Sequence, residues 1–287
     1  MTAKIINIAE NWIYQSNKLI ESSYALTVTE HRLVLILASM IKKDDTEFEE
    51  YSFKVSDLVN LFGAKENRNL YSTAKQISES LMQQCVTIYP KDEEDPTKFT
   101  MHHIVETCKY SNGILTMRIS KEMKYFYLQL EQYTKYKLKN IMPLKSSYSY
   151  RIYELLKQYL KLGTRTIDID DFKLMLKLKD KYSTYGNIKS RILNAAQKEI
   201  NEKTDLYFTF EEIKEGRKVV AVKFNIKQND VQATKLEYRP PIVGEVLNSS
   251  NNYGYNKNEK IPKFAQFPQR NYTDDDFEDI YANGKTK

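Results

Sequence analysis

Cysteine is nearly missing from this chain: Cys85 and Cys108 are the only two in 287 residues. Two thiols so placed make neither a disulfide framework nor the paired spacing of a zinc site, so a reducing, cytoplasmic setting is expected. Histidine is almost as scarce, with three in the chain. His102 and His103 are adjacent in a β-like run, so their side chains leave on opposite faces and cannot jointly hold a metal. A phosphate-binding glycine loop is also lacking; Gly284, Lys285 and Thr286 mimic its end without the upstream glycine. The longest apolar run, residues 33–41, is broken by Ser39 and falls far short of the ~20 residues that a membrane span needs. Charged residues and Asn interrupt the first apolar positions, so no secretory signal is expected. These absences speak against a metal- or thiol-dependent enzyme, a disulfide scaffold and a membrane protein. No catalytic residue, metal or cofactor is expected.

What is present is positive charge, unevenly spread. The net charge is +6. Residues 1–120 hold 13 Lys and Arg against 16 Asp and Glu, residues 121–229 hold 23 against 13, and residues 230–287 hold 8 against 9. The middle third is therefore the basic part. A basic domain attracts a polyanion, and counterion release from DNA supplies much of such binding. A lysine-rich solvated surface is the plainer alternative.

The chain also repeats itself. Phe53, Val55, Ser56, Asp57 and Leu58 are echoed 114 positions later by Ile167, Ile169, Asp170, Asp171 and Phe172; Tyr71 and Lys75 are echoed by Tyr185 and Lys189. Each copy reads as a short strand, a capped short helix, a longer helix with one polar face, and a hairpin. That order is a winged helix-turn-helix, and two copies predict two contacts with duplex DNA. The expected class is α+β: tandem winged-helix domains at 1–120 and 121–229, followed by a flexible tail at 230–287.

Several boundaries can be placed. Thr27 and Glu30 form a capping box for a helix carrying Leu33, Ile36, Leu37, Met40 and Ile41. Ser56 caps a brief helix that Gly63 ends. Ala74, Ile77 and Leu81 extend a stripe from Leu70, and segments 85–90 and 98–108 form a first wing, with 113–119 as a further strand. A strand is expected around 136–141, then a helix capped by Ser146 or Ser147 and closed by Gly163. Ile167 and Ile169 read as a strand, and Asp170 as the cap of the next helix. The long helix at 184–203 buries Ile188, Ile192, Ala195, Ala196 and Ile200. Segments 206–212 and 217–227 form a second wing around Glu215 and Gly216.

The helix at 184–203 is the best candidate for base contacts. Its polar face carries Asn187, Ser190, Arg191 and Asn194, types that can match base edges in the major groove. Lys189 and Lys198 suit phosphates, as do Lys214, Arg217 and Lys218 around the second wing. Asn and Ser are mediocre helix formers, so a merely solvated face would more often hold Glu, Lys and Ala. The first long helix offers Arg68, Ser72, Lys75 and Gln76, which could touch DNA or serve as a subunit interface. After a polar linker at 248–258, Phe264, Phe267, Arg270, Tyr272 and Phe277 read as a docking peptide for a protein partner.

Two stretches carry a family resemblance. SNKLIESSY at 16–24 with LTVTEHRLVLILASMI at 26–41, and YTKYKLKNIMPLKSSYSYRIYELLKQY at 133–159, resemble the iteron-binding plasmid replication initiators of theta-type replication. The resemblance covers about residues 10–228. It implies tandem winged helices that bind direct repeats at an origin. The second domain would read the major groove, and the first would support backbone contact and dimerisation. It further implies recruitment of host initiator and helicase, and repression of the protein's own gene. The competing readings are a plain winged-helix repressor and a rolling-circle nicking enzyme.

Overall fold

The computed structural model describes residues 10–42, 45–56, 58, 70–90, 97–178, 181–230 and 247–248. Arg68, Gly63 and the docking-peptide residues Phe264, Phe267, Arg270, Tyr272 and Phe277 lie outside these residues.

Strand β1 (Trp12–Ser16) runs into helix α1 (Asn17–Glu21), where the Ser16 hydroxyl accepts from the Leu19 N–H. Helix α2 (Val28–Ser39) starts as expected: Thr27 Oγ1 accepts from the Glu30 N–H, and the Glu30 carboxylate accepts from the Thr27 N–H. This capping box satisfies two donors that the first turn would otherwise leave orphaned. Strand β2 (Tyr51–Lys54) follows, and helix α3 (Leu70–Met82) buries the expected Ala74, Ile77 and Leu81.

The first hairpin is real but shorter than expected. Strand β3 (Cys85–Ile88) pairs with β4 (Thr100–His103), and its Thr87 also bridges to Ser23. Residues 105–108 belong to β5 (Val105–Ser111), which pairs with β6 (Ile114–Ile119), and β6 closes on β2. The β5–β6 turn is Asn112-Gly113 with both residues at positive φ (49° and 78°), the conformation that two-residue hairpins favour. Leu247 and Asn248, strand β11, add to the other edge of β2. A short helix α4 (Lys124–Tyr127) then leads to β7 (Tyr133–Lys137), which pairs antiparallel with β1.

The strand expected at 136–141 is corrected here. Extended structure stops at Lys137, and residues Leu138–Ile141 form helix α5. Leu138, Ile141 and Met142 are all buried, an i, i+3, i+4 spacing that only a helix can point one way. Helix α6 (Ser147–Lys157) then buries Ile152, Leu155 and Leu156. Ser146 holds the cap position without a side-chain bond; Glu199 instead accepts from the Lys145 and Ser146 N–H groups at 2.8 and 3.3 Å. Gly163, at φ 73°, ends the following turn.

Strand β8 (Thr164–Asp168) gives way to helix α7 (Ile169–Met175) earlier than expected. Ile169 is helical rather than extended, and Asp168, not Asp170, takes the cap position. Asp170 and Asp171 lie in the first turn, where the helix dipole favours carboxylates. Strands β9 (Leu206–Glu215) and β10 (Lys218–Gln228) complete a three-stranded sheet in the order β8-β10-β9. Phe172 and Phe208 pack on Phe224 inside it, with ring centroids 6.4 and 5.9 Å away.

A buried polar cluster joins the N-terminal arm to α6. Arg151 Nη1 donates to the Tyr24 hydroxyl (2.6 Å) and to Glu154 Oε2 (2.8 Å). Its Nη2 donates to the carbonyls of Ile20 and Ser22 at 2.7 and 2.9 Å. Glu154 also accepts from the hydroxyls of Tyr24 and Tyr136. Arg151 is 2% exposed and Glu154 0%. A charge pair this dry must satisfy nearly every donor and acceptor internally to be tolerated.

Candidate nucleic-acid interface

The expected reading helix is built in three pieces without a break. Helix α8 (Tyr185–Ile188) leads through a π turn (Lys189–Leu193) into helix α9 (Asn194–Lys203). The sequence spacing explains the π turn. Ile188, Ile192, Ala196 and Ile200 are all buried, each four residues after the last. An α-helix turns ~100° per residue, so each such step overshoots the core by ~40°. A wider π turn absorbs part of that drift, and π turns recur at functional sites. It also shifts the burial pattern: Leu193 is buried, and Ala195, expected in the core, is exposed.

The opposite face is open. Asn187, Lys189, Ser190, Arg191, Asn194 and Lys198 are all exposed. Arg191, Asn194 and Lys198 have no side-chain hydrogen bond or ion pair among the described residues. Ser190 Oγ donates to the Asn187 carbonyl at 3.4 Å. Asn201 leaves this stripe: its amide donates to the Phe208 carbonyl (2.9 Å) and accepts from the Phe208 N–H (2.8 Å). Gln197 donates to the same carbonyl. These two side chains fasten the helix to the first wing strand.

The base of the helix is anchored as firmly. Tyr153 and Lys157 of α6 hold Asp205 at 2.8 and 2.7 Å, just ahead of β9. Asn229 donates to the carbonyls of Asn201 and Thr204. The wing turns at Gly216, which adopts φ 59°. Lys214, Arg217 and Lys218 are exposed around that turn.

Lys189 and Lys214 converge on one carboxylate. Glu212 of β9 accepts from Lys189 Nζ at 2.7 Å and lies 3.1 Å from Lys214 Nζ. Hydrogen bonds from Lys189 and then Lys214 hold its carboxyl below the usual range. Burial, with the Glu212 charge adding to it, pushes the neighbouring Tyr185 phenol up to about 12.

The corresponding face in the first half is less basic. Ser72, Lys75 and Gln76 are exposed on α3. Lys75 faces Glu79 of its own helix at 3.7 Å, whereas its echo Lys189 reaches across to the wing. Ser80 and Gln84 donate to Glu30, so that part of the helix is committed to its own fold.

One basic surface escaped the sequence reading. A groove of about 480 Å³ is lined by Trp12, Lys135, Lys137, Lys139, Lys157 and Lys161 among others. Much of its charge is already matched: Glu10 takes Lys137 and Lys139, and Asp205 takes Lys157. Alternation of Tyr133, Lys135 and Lys137 along one strand face is the signal that could have revealed it. His103 lies 3.4 Å from Cys85, while His102 packs edge-on against Phe126, so the two rings part as expected. Among the described residues no helix is long and apolar enough to cross a membrane.

Comparison with known proteins agrees with this architecture. Residues 12–157 match the family described as initiator replication protein, WH1, and residues 168–226 match initiator Rep protein, WH2. A replication initiation protein of Escherichia coli is 25% identical over 230 residues, covering 77% of this chain and 71% of that protein. An uncharacterized 27.6 kDa protein of Escherichia coli is 25% identical over 209 residues, covering 68% of this chain and 86% of that protein. A crystal structure of domains 2 and 3 of RctB matches at 13% identity and a TM-score of 0.39, covering 71% of this chain and 83% of that one. The two winged-helix matches take in well over half of the sequence, and the chain belongs to the plasmid Rep initiator family, DNA-binding proteins of replication with tandem winged-helix domains.

Proposed function

We propose that this protein initiates plasmid replication without catalysis, by binding direct repeats at an origin chiefly through the helix at 185–203 and the wing around Gly216. The observation that carries this reading is the open, uncommitted face of Arg191, Asn194 and Lys198 on a helix fastened to the wing and to α6. A major-groove reader needs such rigidity, because paired hydrogen bonds to base edges tolerate little misplacement. Asn187, Ser190, Arg191 and Asn194 take the base edges. Lys189, Lys198, Lys214, Arg217 and Lys218 take phosphates.

The acidic balance of residues 1–120 suits the supporting role, with Arg68, Ser72, Lys75 and Gln76 touching backbone or forming a dimer surface. The division at residue 120 and the tail from 230 belong to the same proposal. Phe264, Phe267, Arg270, Tyr272 and Phe277 would dock the host initiator or helicase. Repression of the protein's own gene would follow from the same repeats lying near its promoter.

Arg191→Ala tests the reading. It should cost about 1–3 kcal/mol on the cognate repeat and relax one base preference, measured by competition binding at fixed salt. An equal loss on random duplex would reduce Arg191 to a phosphate contact.

A further inference from the structure

The cleft between the proposed reading helix and the wing contains two carboxylates, Glu211 and Glu212, that would face the polyanion. A depression of about 480 Å³ there is lined by Lys189, Gln197, Phe210, Glu211, Glu212 and Lys214. Glu211 is engaged with Asn225 at 3.1 Å. Glu212 holds both ammonium groups, one from the helix and one from the wing, at 2.7 and 3.1 Å. Two ammonium groups converging on one anion are the arrangement that would bind a phosphodiester, and here a carboxylate takes its place.

We propose that Glu212 is a specificity-determining carboxylate: it occupies a phosphate site made by Lys189 and Lys214 and so weakens sequence-independent binding of duplex DNA. The inference rests on the reading of 185–203 and the wing as the DNA interface. Its logic is competitive. Non-specific affinity comes almost wholly from cations that replace counterions on phosphates. A lysine held by a fixed carboxylate must leave that partner before it can do so. Duplexes that also satisfy the base-reading face of Arg191 and Asn194 can offset this cost; random duplexes cannot. Glu212 keeps its charge throughout the pH range of binding assays, because the two lysines hold its carboxyl low. The latch is therefore constant rather than pH-operated.

The test compares Glu212→Gln with the parent protein on a random 30-base-pair duplex and on the origin repeat, over a salt series. Thermal melting of both proteins checks folding, and Glu212→Ala serves as a second variant. The slope of log K against log salt on random DNA should steepen by about 0.9–1.8, the contribution of one to two further phosphate contacts. Affinity for random duplex should rise roughly three- to tenfold at 0.1 M salt, and the repeat-to-random ratio should fall. In a Lys189→Gln/Lys214→Gln background, Glu212→Gln should change nothing further. An unchanged or shallower slope in a folded Glu212→Gln protein would overturn the proposal. If Lys198→Gln/Arg217→Gln, which removes two exposed cations not held by Glu212, leaves the slope unaltered, the interface reading fails instead, so the two failures are distinguishable.

Discussion

Replacing Arg151 with Met should loosen the whole N-terminal arm. Its guanidinium makes four hydrogen bonds, to Tyr24, Glu154 and the carbonyls of Ile20 and Ser22, and lies 3.7 Å from the Tyr24 ring centroid. Methionine preserves much of the volume but none of the donors. Two carbonyls lose a donor, and the carboxylate of Glu154 is left dry with only two tyrosine hydroxyls. Breaking one side of a buried pair costs about 3–5 kcal/mol. For a folded region of this size that corresponds to a fall of roughly 6–20 °C in Tm. Urea unfolding can be followed by one local and one global signal. Trp12, the sole tryptophan, lies on β1, whose Gln15 accepts a hydrogen bond from the Tyr136 hydroxyl, and far-UV circular dichroism follows the helices. Arg151→Met/Glu154→Leu should be less unstable than the sum of the single changes, with a coupling of roughly 1–3 kcal/mol. A loss below about 1 kcal/mol for Arg151→Met, or strict additivity, would show that water reaches the pair and that other contacts secure the arm.

Three further outcomes are expected. His31 is held to about 3, well under its ordinary value, by burial and then by Arg151. A histidine neutral in the fold but titrating near 6.5 when unfolded contributes stability that is complete above pH 6.5 and lost as pH falls toward 3. Between pH 7 and 5 the loss should be about 2 kcal/mol, and His31→Gln should flatten that part of the urea profile. Asn201→Ala removes both bonds to Phe208 and should speed amide exchange at Phe208 and lower stability by about 1–3 kcal/mol; unchanged exchange would mean that Gln197 suffices. Deleting residues 249–287, which spares β11, should leave repeat binding nearly intact while impairing plasmid replication in cells, and lost binding would place the tail inside the DNA interface.

Legibility in the sequence followed the physics of each element. The capping box at Thr27 and the glycine turns at 163 and 216 could be read because local hydrogen bonding and positive φ need particular residues. Asn112-Gly113 carried an equally local signal for the β5–β6 hairpin, whereas no such turn pair marks the break at Ile104 between β4 and β5. The helix at 185–203 was legible by its stripe, but its π turn was not. Only the fourfold step of Ile188, Ile192, Ala196 and Ile200 hints at it, and Ala195 moved outward as a result. Arg151 and Glu154 look like surface residues when only apolar periodicity is followed. Their burial depends on Tyr136, 18 residues before Glu154, and on Tyr24, 130 residues before it. The pairing of Lys189 with Glu212 was hidden for the same reason: 23 residues separate them, and a wing register decides whether they meet.

The pairing of β1 with β7 sets an order of events during synthesis. Residues 12–16 have no other strand neighbour among the described residues, and their partner is not made until residue 137. At ~5–20 residues per second, the arm waits roughly 6–24 s after its own emergence before it can close. Through that interval Ile13 and Tyr14, fully or nearly buried later, remain available to other chains. Nascent initiators crowded on one message could therefore exchange arms, so a pause in translation shortly after Lys137 would favour folding within a single chain.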